Sequence, residues 1–311
     1  MLNFGFKRLF SLFLLISSTS VLVAEEIPVE EFFCDSALSG VTLSPDGKKY
    51  AALVPINGPA CAVEEDDDPQ SARVLLVMDL ETKKPIILSG TADYARIVQF
   101  FWLNDERIGF YKQPTRGLDA YDLWAIDIDG KNLKKLVPGK WEDGYATGAS
   151  VSFLMDDDPD HVLIEYNKRR PKYTDIYKLN IYSGRLTTLA IDPVLGNNTL
   201  MGWAIDQQGN VRGYMAMDGL KYKLYHRNDV NKDFELLREF TYQEAMFMPQ
   251  TYDYDPRYVY VVGQPIAKDG TILDNSDTDA LWKYDAYEDE FVEKIYSHPK
   301  YDVGGIGISD K

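Results

Sequence analysis

His161, His226 and His298 are the chain's three histidines, and they stand far apart in sequence. A catalytic imidazole needs a nucleophile, a metal or an orienting acid within reach. His161 opens an expected strand, His226 lies within one, and His298 precedes Pro299 in a loop. No nucleophile or metal partner is evident for any of them, so structural or surface roles are expected for all three. With only two cysteines besides, little is left for a four-ligand zinc site. Glu64-Glu65-Asp66-Asp67-Asp68, followed by Pro69, offers hard oxygen ligands for a cation. It lacks the glycine-containing spacing of a calcium loop and reads as a solvated connection between two strands. Asp127-Ile128-Asp129-Gly130 resembles part of a calcium loop, but no glutamate follows at the bidentate position, so a hairpin turn is expected. Paired carboxylates can hydrolyse glycosides, yet among 49 acids the spacing selects no pair. Lys168-Arg169-Arg170 with Lys172 is the one basic cluster, read as an exposed strand end rather than a phosphate site. Trp102, Trp124, Trp141, Trp203 and Trp282 could line a sugar or peptide groove. Trp124 and Trp282 recur at one repeat position, which fits packing between sheets better. The sequence therefore assigns no catalytic, cofactor-binding or metal-ligating residue.

What must position any site is a repeat. Leu75–Asp79, Leu123–Asp127, Ile176–Asn180, Leu224–Asn228 and Leu281–Asp285 share an apolar-rich pattern that closes on Asp or Asn. The closing residues are 48, 53, 48 and 57 positions apart. The fourth copy departs, with Arg227 at its last apolar place. Polar turn residues follow each copy, and a further short strand follows those, as at Ile86–Leu88, Leu186–Leu189 and Phe291–Ile295. A second hairpin precedes each copy, with turns at Ser44–Gly47, Asn104–Glu106, Asp157–Asp160, Gln207–Asn210 and Asp255–Arg257. Two hairpins per repeat of about 50 residues predict a four-stranded β-propeller blade. The fold class expected is all-β, with five blades. The clearest helical stretch is short, around Tyr242–Met248. Asp302–Lys311 resembles the first strand and turn of a sixth blade, so the propeller is expected to be incomplete at residue 311.

Composition agrees with this class. Aromatic residues make up 13%, with 21 tyrosines, which leans toward strands. The net charge of −16 disfavours non-specific nucleic-acid binding and anionic membranes. Residues 1–24 read as a signal peptide: Lys7 and Arg8, an apolar run from Leu9 to Ile16, then small residues up to Ala24. The run is too short to span a bilayer. Export is expected, to the periplasm or outside the cell, with residues 25–311 forming the propeller and no membrane span after cleavage. Cys34 and Cys61 flank the first expected hairpin at the same end, which allows a disulfide in an oxidising compartment. Two unrelated free thiols are the alternative.

Ile27–Phe33 and Leu43-Ser44-Pro45-Asp46-Gly47, with the later blade-like hairpins, resemble the amino-terminal propeller of exported bacterial serine peptidases of the prolyl oligopeptidase family. The Ser-Pro-Asp-Gly turn also occurs in other propellers. The resemblance implies a carboxy-terminal α/β-hydrolase domain whose serine sits in a Gly-x-Ser-x-Gly elbow. None of these 311 residues forms that elbow: Ser39, Ser150 and Ser183 each have a glycine nearby, but not one on both sides at the required spacing. The implied function is a non-catalytic propeller that gates oligopeptides, with peptide substrate as partner and no cofactor. A stand-alone periplasmic propeller that binds a protein or peptide is the alternative.

Overall fold

The computed structural model describes residues 38–55, 73–89, 97–113, 119–142, 144–193, 198–241, 248–269 and 271–308. Residues 1–24, Cys34, Cys61, the acidic run at 64–68 and residues 242–247 lie outside the described residues. Five antiparallel four-stranded sheets follow one another along the chain, each in the order of its sequence. Blade one holds β1 (Ser39–Leu43), β2 (Lys49–Pro55), β3 (Arg73–Asp79) and β4 (Pro85–Ser89). Blade two holds β5 (Ile97–Asn104), β6 (Arg107–Lys112), β7 (Asp122–Asp127) and β8 (Lys134–Val137). A two-stranded hairpin, β9 (Lys140–Glu142) with β10 (Tyr145–Thr147), precedes blade three. That blade holds β11 (Ala149–Leu154), β12 (His161–Arg170), β13 (Tyr173–Asn180) and β14 (Leu186–Ala190). Blade four holds β15 (Thr199–Ile205), β16 (Val211–Asp218), β17 (Lys221–His226) and β18 (Glu235–Thr241). Blade five holds β19 (Met248–Tyr252), β20 (Tyr258–Gly263), β21 (Ala280–Asp285) and β22 (Glu290–Tyr296). Among the described residues there is no helix. Residues 302–308, read from sequence as opening a sixth blade, pair with no strand and are tied to blade five by Asp279 and Val303.

The recurring Asp or Asn has a local cause. Asp79 Oδ1 accepts the backbone N–H groups of Glu81 and Thr82, at 3.1 and 2.7 Å. Asn180 Oδ1 does the same for Tyr182 and Ser183, and Asp285 Oδ1 for Tyr287 and Glu288. Each side chain thus closes the turn between the third and fourth strands. In blade four this task passes to Asp229, which accepts the Asn231 N–H. Arg227, the residue that breaks the repeat, instead lies over the Phe234 ring at 4.4 Å and donates to the Val211 carbonyl.

Alternation along the strands puts small and branched apolar residues on both faces of each blade, so neighbouring blades share cores. Ala51, Leu75 and Val77 of blade one pack with Phe100, Ile108 and Phe110 of blade two, and Trp124 leans on that cluster. Leu123 and Val137 of blade two pack with Val162, Ile164 and Leu179 of blade three. Indole N–H groups cross the seams as well: Trp102 donates to the Thr42 carbonyl and Trp203 to the Thr174 carbonyl.

The first strands lie innermost, with β1 beside β5 and β15 beside β19. Up-and-down topology then sorts the connections between two ends. Turns joining strands one to two and three to four gather at one end and are short. Connections joining strands two to three, and each blade to the next, gather at the other. That second end carries the longer loops and the β9–β10 hairpin.

Candidate functional site

Two cavities open at the loop end and a third lies toward the tight-turn end between the later blades, and all three meet at one side chain. Glu165 projects from β12, flanked in sequence by the buried Ile164 and Tyr166. It lines three cavities, of about 300, 470 and 630 Å³. The walls come largely from the innermost strands. Gln99 of β5, Ser150 and Ser152 of β11, Thr199 of β15 and Gln250 of β19 all line them and all are exposed. These are neutral hydrogen-bonding groups. Glu165 is half-buried and has neither an ion pair nor a hydrogen bond among the described residues. Burial alone raises its carboxyl above the ordinary glutamate value. A carboxylate held this way gains most from an incoming cation or hydrogen-bond donor.

Asp175, a neighbour on the adjoining strand, shows the opposite arrangement. It is 1% exposed. Burial by itself would raise it, but Arg169, the Asp192 N–H and the Tyr177 hydroxyl together hold it below the usual range. Asp175 is therefore fully committed within the fold, and Glu165 is not.

The histidines take structural places. His161 bridges the Asp158 carboxylate at 2.8 Å and the Asn180 amide at 3.2 Å, closing a turn. His298 lies on the Tyr301 ring, 4.8 Å between centroids. His226 is buried at the wall of the smallest cavity, with Nδ1 3.1 Å from the Tyr252 hydroxyl. Burial first, and then the charge of Arg212, push its imidazole down to about 4, against a weaker pull from Asn228. The Asp127–Gly130 segment is a hairpin turn, with the Gly130 N–H on the Asp127 carbonyl at 2.9 Å. Among the described residues no group of three His, Cys, Asp or Glu could hold a metal ion. Trp282 sits edge-on to Phe291 within its own blade, while Trp141 stands 45% exposed on β9.

The β9–β10 hairpin borders these cavities, with Ala146 and Thr147 in the wall of the largest. It is pinned at both feet. The Gly139 N–H donates to the buried Asp122 carboxylate, and the Gly148 N–H to Asn167 Oδ1. Asn167 in turn donates to the Ala146 and Pro171 carbonyls, both at 2.9 Å. A Cβ at Gly139 would stand 2.5 Å from the Tyr121 carbonyl carbon and oxygen, with no side chain there to yield. Gly139→Ala is therefore expected to cost about 1–3 kcal/mol and to loosen the hairpin. Thermal unfolding, together with amide exchange at Tyr145–Thr147, checks this. Unchanged melting with unchanged exchange would show that the foot is not pinned.

Comparison with known proteins places this geometry. No family model matches the chain. Its sequence is 26% identical over 167 residues to dipeptidyl aminopeptidase BIII of Pseudoxanthomonas mexicana, covering 53% of this chain and 21% of that protein. A putative dipeptidyl aminopeptidase IV from Bacteroides ovatus superposes with a TM-score of 0.54 at 11% identity, covering 86% of this chain and 42% of the other. A prolyl endopeptidase superposes with a TM-score of 0.51 at 14% identity, covering 82% and 35%. At such identities the structural likeness shows a shared fold. The chain spans about a fifth of the curated relative's length.

Proposed function

We propose that this β-propeller of the prolyl oligopeptidase type admits oligopeptides at its loop end and holds their amino terminus at Glu165. The observation that carries the reading is the half-buried Glu165 carboxylate, which has no ion pair or hydrogen bond among the described residues. It stands in walls that are mostly uncharged, with Lys172, Asp192 and Asp119 the charged exceptions in the two loop-end cavities. A peptide's ammonium complements it, and Gln99, Ser150 and Ser152 can pair with backbone amides. In this reading the propeller gates a hydrolase domain and does no bond cleavage itself. The absence of a Gly-x-Ser-x-Gly elbow from these 311 residues supports the second half. Export, expected from residues 1–24, belongs to the same proposal, with the peptides met in the periplasm or outside the cell.

Calorimetric titration of the 311-residue chain tests the binding. A short alanine-rich peptide with a free amino terminus is compared with its N-acetylated form. Acetylation and Glu165→Gln are each expected to weaken binding at least tenfold, about 1.4 kcal/mol, and not to add when combined. Equal affinity for the two peptides would overturn the assignment. Serine-reagent-sensitive turnover of dipeptidyl or aminoacyl chromogenic substrates by this chain would overturn the non-catalytic half.

A further inference from the structure

The densest run of cations in the sequence, Lys168-Arg169-Arg170 with Lys172, lies at the turn between β12 and β13. That turn is at the loop end, beside the cavity mouths: Lys172 and Tyr173 line one cavity, and Asn167 another. Its four cations are not equivalent. Arg169 is spent on the buried Asp175, with two hydrogen bonds at 2.9 and 3.1 Å. Lys168, Arg170 and Lys172 are exposed and form no ion pair among the described residues. Arg170 and Lys172 lie over aromatic rings, Arg170 sharing that of Tyr173 with Arg169. The Arg170 guanidinium is 5.8 Å from the Tyr173 centroid, and Lys172 Nζ is 5.3 Å from that of Tyr145.

Tyr145 comes from the β9–β10 hairpin, and that hairpin has no evident role in the core. All three residues of β9 are exposed, and none of β10 is buried. A two-stranded ribbon of this size is marginal in water. Here it is fixed at both feet by specific bonds and brings a 43%-exposed tyrosine against the basic turn. The acids nearby are Asp175, which Arg169 takes; Asp192 and Glu165, in the adjoining cavity wall; and Glu142. None of them forms an ion pair with Lys168, Arg170 or Lys172 among the described residues. Glu142, on the same face of the hairpin as Tyr145, is 3.9 Å from Lys140 and leaves the three turn cations free. The chain as a whole carries −16, so an acidic partner is repelled by most of the molecule and attracted here.

We propose that Lys168, Arg170 and Lys172, with Tyr145 and Tyr173, form a docking patch for a carboxylate-rich polypeptide segment at the rim of the cavities. Exposed cations held over aromatic faces keep their charge while the rings supply apolar contact to the partner's backbone and methylenes. Arg170 can take a carboxylate with two parallel hydrogen bonds. The patch stands on its own residues and does not depend on amino-terminal binding at Glu165.

Fluorescence anisotropy of a labelled decapeptide of alternating Glu and Ala, titrated with the 311-residue chain at low ionic strength, tests it. Arg170→Glu/Lys172→Glu is expected to weaken binding at least tenfold, and raising the salt to weaken it for the native chain. Lys84→Glu/Lys134→Glu, the same charge change at the tight-turn end, is expected to leave it within twofold. Tyr145→Ala is expected to weaken it severalfold without altering charge, which separates the patch from net electrostatics. Matching melting curves verify that each variant is folded, and Arg170→Gln/Lys172→Gln is the substitute if the charge reversal is not. No binding of the acidic peptide, or equal loss in both double variants, would overturn the proposal. Tighter binding of inorganic polyphosphate of equal charge would also overturn it, by marking a general polyanion site. N-acetylation of the decapeptide is expected to leave this binding unchanged, so failure here and failure at Glu165 are read separately.

Discussion

Arg107→Met is expected to destabilise the propeller by about 3–5 kcal/mol. Arg107 opens β6, is 1% exposed, and holds blade two to blade three. Its Nε donates to the Ile181 carbonyl of blade three at 2.9 Å, and its Nη2 to the Asn132 carbonyl at 3.1 Å. Its Nη1 pairs with the Asp127 carboxylate, and the guanidinium lies 5.0 Å from the Tyr182 ring centroid. Methionine can fill the space but supplies no donor. The carbonyl of the fully buried Ile181 and one side of Asp127 would lose their partners, and a stranded polar group costs more than the bond was worth. Lysine keeps the charge but cannot reach three acceptors in one plane, so Arg107→Lys is expected to recover only part of the loss. Urea unfolding of the three proteins measures this as a fall in midpoint at constant slope. A loss below about 1 kcal/mol for Arg107→Met would mean that the seam does not rest on this side chain.

The same residue shows what the sequence makes legible. Arg107 follows the Asn104-Asp105-Glu106 turn, and its partner Asp127 is the recurring closing residue, so both could be placed at the tight-turn end by counting alone. Such turns are local where the Asx side chain caps the N–H groups two and three residues on, as Asp79, Asn180 and Asp285 do, whereas Asp127 gives its carboxylate to Arg107 and Asn132. Pairing across the seam is not local, and nothing in the spacing says that a guanidinium will reach Ile181. The β9–β10 hairpin escaped for another reason. With no strand residue in the core, it has none of the apolar alternation by which the blades declare themselves. Asp143-Gly144 between Glu142 and Tyr145 was the available signal, since Asp-Gly is a favoured two-residue hairpin turn; Gly144 does take a positive φ of 80°. Glu165 also left a trace, as a lone acid inside the apolar stretch Val162–Tyr166. Whether such a residue is paired or free depends on strands far away in sequence, which is why Asp175 and Glu165 could not be told apart before the fold was known.

Acid should weaken the fold through His226 before most carboxylates titrate. In the unfolded chain this imidazole takes a proton near its ordinary value of about 6.5. In the folded chain burial, and then Arg212, hold it down to about 4. Between those values the unfolded state binds more protons, so stability falls as pH drops through that window and is level above it. The full difference corresponds to about 3 kcal/mol. Around the ring stand Tyr252, hydrogen-bonded at Nδ1, Tyr287 at 6.1 Å between centroids, and Arg212. With the Tyr252 hydroxyl donating to Nδ1, Nε2 carries the proton of the neutral ring and is buried without a partner. No carboxylate is among the groups that shift this imidazole. Glu165 and Asp279, both raised by burial, add to the acid dependence of any variant equally. The informative quantity is therefore the difference in unfolding free energy between the native protein and His226→Phe, measured from pH 7 to pH 4. Phenylalanine keeps the stacking on Tyr252 but orphans its hydroxyl, a cost that does not vary with pH in this range. The native protein's relative stability is expected to fall by about 3 kcal/mol across the window. A difference that stays constant would mean that the imidazole titrates alike in both states, and that Asn228 offsets burial and the Arg212 charge.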